Sequence, residues 1–163
     1  MIVGIDPGLK GAVAFISSKG IKAKVIQMPT LKLTKSKNII DEHQLCNYLR
    51  GYMIQTQHVF IEKVNAMPGQ GVTSMFNFGA GWGLIRGICV GLGLSYTLVH
   101  PKTWKKVICK DMPSSKDVSI IIAKRIWPNV SLLPTERSKK DSDGMADALC
   151  IAEYGRRTLI GND

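Results

Sequence analysis

Short apolar runs broken by turn residues dominate the first part of the chain. Ile2 to Asp6 is apolar until its last residue and stops at Pro7-Gly8, the pattern of a buried strand entering a turn. Ala12 to Ile16 reads as a second strand. Ser18-Lys19-Gly20 marks a turn, and Ile21 to Met28 reads as a third strand, so the three predict an antiparallel meander. Pro29 to Asn38 opens on a proline and carries Lys32, Lys35 and Lys37, which suits a basic loop. Asp41 suits the cap of a helix running to Tyr52, with Leu45, Tyr48, Leu49 and Tyr52 on one face. His58 to Glu62 is a fourth strand, apolar in its middle and closed by a carboxylate.

The pattern then changes. Asn65 to Val72 contains Pro68, Gly69 and Gly71 and predicts a mobile loop. A helix is expected from Thr73 to Leu92 although it holds Gly79, Gly81, Gly83, Gly87 and Gly91. Each glycine costs a helix about 1 kcal/mol relative to alanine, and the expected compensation is close approach of another backbone. Ser95 to His100 reads as the fifth strand, and Pro101 suits the first turn of a short helix to Val107. Ser114 or Ser115 is placed to cap a helix to Trp127, where Pro128 stops it. Leu132 to Lys140 is a loop ending in a basic patch, and a last helix spans Asp141 to Arg157. Strands interleaved with helices in this order predict an α/β fold with a mixed five-stranded sheet flanked by helices. At 163 residues, one domain covering 1–163 is expected.

Charge narrows the partners. A formal net charge of +10 is large for one small domain and points to a polyanion, most often nucleic acid. No run of 18 apolar residues occurs, so no membrane partner is expected. No basic segment precedes an apolar stretch at the start, so no signal peptide is expected. Cys46, Cys89, Cys109 and Cys150 are scattered without a paired spacing, which argues against a zinc site and for reduced thiols. The expected setting is an intracellular, reducing compartment: the cytoplasm of a bacterial or phage-infected cell, or an organelle if a transit segment has been removed.

The acids supply the chemistry. Asp6 and Glu62 end the first and fourth strands, and Asp143 and Asp147 stand four residues apart on one face of the last helix. Each also admits a plain structural role. Asp6 suits an Asx-turn with Pro7-Gly8, Glu62 a solvated strand end, and Asp143 a helix N-terminus. Asp147 is flanked by Ala146, Ala148 and Leu149 on a helix that must pack, and is the hardest to leave solvated. Carboxylates beside apolar sequence are costly unless paired or bound to a cation. Four converging acids would need a hard cation, and two Mg²⁺ or Mn²⁺ ions about 3.5–4 Å apart are what phosphodiester hydrolysis by paired metals requires.

Gly4-Ile5-Asp6-Pro7-Gly8, Phe60-Ile61-Glu62-Lys63-Val64 and Asp143-Gly144-Met145-Ala146-Asp147-Ala148 resemble, in order, the acidic segments of RuvC-type Holliday junction resolvases of the ribonuclease-H-like superfamily. Phe78-Gly79-Ala80-Gly81-Trp82-Gly83-Leu84 resembles the bacteriophage and plastid branch more closely. The resemblance implies a structure-selective endonuclease, a crossover junction endodeoxyribonuclease. Its metal ligands would be Asp6, Glu62, Asp143 and Asp147, its partner four-way or branched DNA, and its assembly a homodimer. Bacterial members place the last two acids one residue closer together, which still leaves both on one helical face. Lys105 and Lys116 match the family's functional lysines, Lys116 with a catalytic part, and Lys106, Lys139 and Lys140 are further phosphate contacts. The aromatic wedge that bacterial members carry after the second acid falls here near Asn65. Met67 or Phe76 would have to replace it, and the setting of Phe76 favours a core place.

Other readings share parts of this pattern. A ribonuclease-H-type hydrolase would use the same acids on an RNA–DNA hybrid. A non-catalytic branched-DNA-binding module would use the charge and leave the ordered acids without a purpose. An actin-like kinase opens similarly, but needs two domains and a second phosphate-binding loop that the sequence lacks.

Overall fold

The computed structural model describes residues 1–34, 37–65, 69, 71–112, 115 and 117–161. Its main sheet is ordered β3-β2-β1-β6-β7, built from β1 (Ile2–Asp6), β2 (Ala12–Ile16), β3 (Ala23–Gln27), β6 (His58–Glu62) and β7 (Tyr96–Val99). The meander is as expected, with β1, β2 and β3 antiparallel. β6 joins β1 in parallel and β7 joins β6 in parallel, which gives the mixed five-stranded sheet.

Alternation along the strands divides the core in two. Val3, Ile5, Val13, Phe15, Val59 and Ile61 pack under α1 (Glu42–Tyr52) and α2 (Val72–Gly91). Ile2, Ala12, Ala14, Ile16 and Phe60 face α3 (Pro101–Ile108), α4 (Val118–Ile126) and α5 (Asp143–Ile160). The even-numbered positions of β1 and β6 therefore look toward α5, and Asp6 and Glu62 continue that series.

α5 lies on β1 at very short range. A Cβ on Gly4 would sit 2.3 Å from the carbonyl oxygen of Ala148 and 2.3 Å from the amide nitrogen of Ala152. Gly144 meets the Lys10 carbonyl oxygen in the same way, at 2.3 Å. Small residues on one α5 face thus let the helix backbone rest on the strand.

Several expectations need correction. The Pro29 to Asn38 segment is not simply a loop, because β4 (Thr30–Lys32) and β5 (Asn38–Ile40) pair antiparallel across it. β3 is shorter than Ile21 to Met28, and Ile21 is exposed. The last helix begins at Asp143 rather than Asp141, since the Ser142 hydroxyl caps it by accepting from the Met145 N–H. Asp141 instead pairs with Lys124. α4 begins after Asp117, not after Ser115, and Ser114 lies outside the described residues. The glycines of α2 do not meet another backbone among the described residues. Gly81 meets only the Ile40 side chain, and Gly79, Gly83, Gly87 and Gly91 have nothing within 4 Å. Much of the predicted 65–72 loop, Met67 included, is also outside the described residues.

Among the described residues no helix is long and apolar enough to cross a membrane. The four cysteines are free thiols.

Candidate active site

β1 and β6 are adjacent and parallel, and Ile5 pairs with Ile61, so the next residues of the two strands are Asp6 and Glu62. Both are half-buried. The Gly8 N–H donates to Asp6 Oδ1 at 3.3 Å, so the Asx-turn is present and fixes the side chain at the strand end. Asp147, one position before the Ala148 that touches Gly4, is carried to the same place by the docking of α5.

Burial and neighbouring acids raise all three carboxyls. Burial, then Glu62, then Asp147 push the Asp6 carboxyl up to about 7, against the Gly8 N–H and Lys105, which pull it down. Glu62 is raised by burial first and by Asp147, opposed by the Trp104 hydrogen bond, Lys105 and His100. Asp147 is raised by burial first and by Asp143, opposed by the Ser119 hydroxyl and Lys105. Asp143 itself is exposed, at the first residue of α5, and reaches the group only through Asp147.

Of the expected lysines, Lys105 is the one brought to the acids. It stands over the Trp104 ring, 5.1 Å from the centroid, and acts on Asp6, Glu62 and Asp147 alike. Lys106 lines a different surface depression with Lys102 and Lys110. Lys139 and Lys140 are exposed in the loop before α5. Lys116 lies outside the described residues. Phe76 is not in the core as expected but 76% exposed on α2, where the helix turns that side away from the sheet.

Sequence reasoning missed the residues that hold Glu62. The Trp104 indole N–H donates to Glu62 Oε1 at 2.9 Å, and the Trp82 indole N–H donates to the Glu62 carbonyl oxygen at 3.2 Å. His100 and Ser119 were missed as well. Trp104 did leave a signal. It is a lone indole in the lysine-rich helix α3, so it must face inward, and a buried indole N–H needs an acceptor.

As a donor set for a cation, the site offers only oxygens, which repel one another and are partly desolvated, and this fits a hard divalent ion. Among the described residues no three His, Cys, Asp or Glu side chains stand closely enough to close around one ion. Beside Asp6, the turn from Pro7 to Lys10 walls a groove of about 800 Å³ that Ile39, Ile40, Phe78 and Leu84 complete.

A mixed sheet in the order β3-β2-β1-β6-β7 with helices on both faces is the ribonuclease-H-like fold. Solved structures narrow the likeness. RuvC from Thermus thermophilus is similar over 98% of this chain and 96% of its own, with a TM-score of 0.58 at 16% identity. The same organism's RuvC in complex with a Holliday junction substrate is similar over 98% and 96%, with a TM-score of 0.64 at 14% identity. The yeast mitochondrial Holliday junction resolvase Ydc2 is similar over 96% of this chain and 77% of its own, with a TM-score of 0.55 at 17% identity. The chain therefore has the fold of the RuvC-type resolvases. No family model and no curated protein matches it by sequence.

Proposed function

We propose that the chain is a single-domain, structure-selective endonuclease that resolves four-way or branched DNA. The observation that carries this reading is the meeting of Asp6, Glu62 and Asp147 at the ends of two adjacent parallel strands and on α5, with Lys105 set against all three. The RuvC-type fold and the net charge of +10 support the choice of DNA as substrate.

In this reading Asp6, Glu62 and Asp147, with Asp143 at the rim, hold a pair of Mg²⁺ or Mn²⁺ ions. Bound there, such ions activate water and neutralise charge on the phosphate. The chain's own residues do the rest. Trp104 fixes one Glu62 oxygen so that the other is free to bind. Lys105 meets the scissile phosphate and offsets its charge as it builds. Hydrolysis breaks the bond from phosphorus to the 3′ oxygen, leaving a 5′-phosphate and a 3′-hydroxyl. Lys116, Lys139 and Lys140 are further phosphate contacts. The exposed stripe of α2, with Val72, Phe76 and Val90 beside the open glycines, is the face for a second copy, which would set two sites on opposing strands. The bacteriophage and plastid branch remains the closer sequence resemblance.

The test is purified protein on a synthetic mobile four-way junction, with Mg²⁺ and with chelator. Paired nicks in opposing strands are expected with metal and none with chelator. Asp6→Asn should lose at least about a thousandfold in cutting, while junction affinity holds within a few-fold. Cutting of an RNA–DNA hybrid in preference to the junction would favour the ribonuclease reading, and undiminished cutting by Asp6→Asn would remove the site assignment.

A further inference from the structure

Helix α3 is charged on two sides. Lys105 acts on the carboxylates, while Lys102 and Lys106, four residues apart on α3, and Lys110, just past the helix end at Ile108, line a separate surface. With Thr103, Val107 and, from the end of α5, Arg157, these lysines line an open depression of about 810 Å³ that no acid lines. Glu153, the partner of Arg157, is already taken: it accepts from Arg156 and from Arg157. Among the described residues no ion pair joins Lys102, Lys106 or Lys110 to an acid. Like charges four apart on a helix repel and weaken it. The row is thus a cost to the fold that a polyanion relieves.

Its dimensions suit one kind of polyanion. Lys102 to Lys106 covers roughly 6 Å of helix at 1.5 Å per residue, and Lys110 follows two residues past the helix end at Ile108. The helical part alone matches the axial spacing of about two to three phosphates on one strand of duplex DNA, at 3.4 Å each. Lys102 and Lys106 sit on the same short helix as Lys105, so a duplex laid along them stays connected to the acids.

We propose that this row is a second phosphate-binding track, which holds the backbone of one duplex arm of the junction away from the cutting site. The proposal rests on the junction-nuclease reading above and adds where an arm lies. Lys102, Lys110 and Arg157 join Lys106 in it, and Lys105 does not.

Two double variants with equal loss of charge test it. Lys102→Gln/Lys110→Gln removes two members of the row. Lys19→Gln/Lys22→Gln removes two exposed lysines from the turn between β2 and β3, at the far end of the sheet from Asp6. Junction affinity is measured against salt concentration in chelator, on long-armed junctions and on junctions with stepwise shortened arms. On long arms the row variant should lose about 2 units from the slope of log affinity against log salt, at roughly 0.9 per phosphate contact, and bind about tenfold more weakly near 0.15 M salt. The turn variant should match the parent. On the shortest arms all three proteins should bind equally, which also shows that the row variant is folded. A parental slope in the row variant, equal slope losses in both variants, or a loss that persists on the shortest arms would overturn the track. A parent protein that binds junctions no better than linear duplex fails in its own arm of the experiment, and removes the nuclease reading together with the track.

Discussion

Helices α5 and α2 both carry glycines, and the glycines meet opposite surroundings. Where α5 lies on the sheet, the space a side chain would need is already filled: by backbone at Gly4 and Gly144, and by the Phe60 ring at Gly155. On α2, Gly79, Gly83, Gly87 and Gly91 look into open space, and only Ile85 and Cys89 of that helix are buried. The intrinsic cost of helical glycine is the same in both, about 1 kcal/mol each. On α5 that cost is offset by a docking that sets Asp147 beside Asp6. On α2 no described residue fills the space beside Gly79, Gly83, Gly87 or Gly91. Helical glycine is thus matched by a close neighbour on α5 and by no described residue at four of the five α2 positions.

The strongest way to break the comparison is to crowd the α5 side. Gly4→Val places a branched side chain against the backbone of Ala148 and Ala152, which cannot yield without moving α5. We expect a loss of about 4 kcal/mol or more and a fall in melting temperature of roughly 10 °C. A change of only a degree or two in thermal unfolding would mean that α5 is not seated on β1 as described.

The same docking crowds the acids, and that has a pH signature. The Asp6 carboxyl sits at about 7 in the fold against an ordinary 3.8. Between those values the folded state keeps a proton that the unfolded chain has released. Without metal, stability should therefore fall as pH rises from about 4 to about 7 and then level off. Asp6→Asn should flatten the fall and be more stable than the parent above pH 7, by up to about 4 kcal/mol. Urea unfolding across this range in chelator reads both, and a parent whose stability climbs through the window contradicts the crowding.

The smallest effect belongs to the open side. Gly83→Ala/Gly87→Ala should raise the intrinsic stability of α2 by about 1 kcal/mol per site, while weakening self-association because the added methyls stand on the face a second copy would cover. Melting at low concentration and sedimentation at high concentration separate the two. A stabilised protein with unchanged association would remove α2 as the contact face.

Much of this was legible in the chain. β1, β2 and β6 follow from apolar runs of strand length, and Asp41 caps α1 as expected, its Oδ1 accepting from the Gln44 N–H at 2.9 Å. The acids were legible because each ends or interrupts an apolar run, where a charge is conspicuous. β4 and β5 were not, because strands of three residues with little burial leave no periodic signature. The start of α5 was misread because Asp141 and Ser142 are both good caps and only tertiary contact chooses between them. Ser119 was silent, and the partner of the inward-facing Trp104 could not be named, because those partners are 28 and 42 positions away, at Asp147 and Glu62. Contacts of that kind have no local pattern.

Two indoles report on one residue. Trp82 on α2 and Trp104 on α3 both end on Glu62, one on its backbone and one on its carboxylate, while the remaining tryptophan, Trp127, bonds the Gly20 carbonyl. Indole emission responds to the polarity and charge around the ring nitrogen. The molecule thus carries its own optical probe, in which whatever protonates or occupies that carboxylate changes the light from Trp104 and leaves Trp127 as an internal reference.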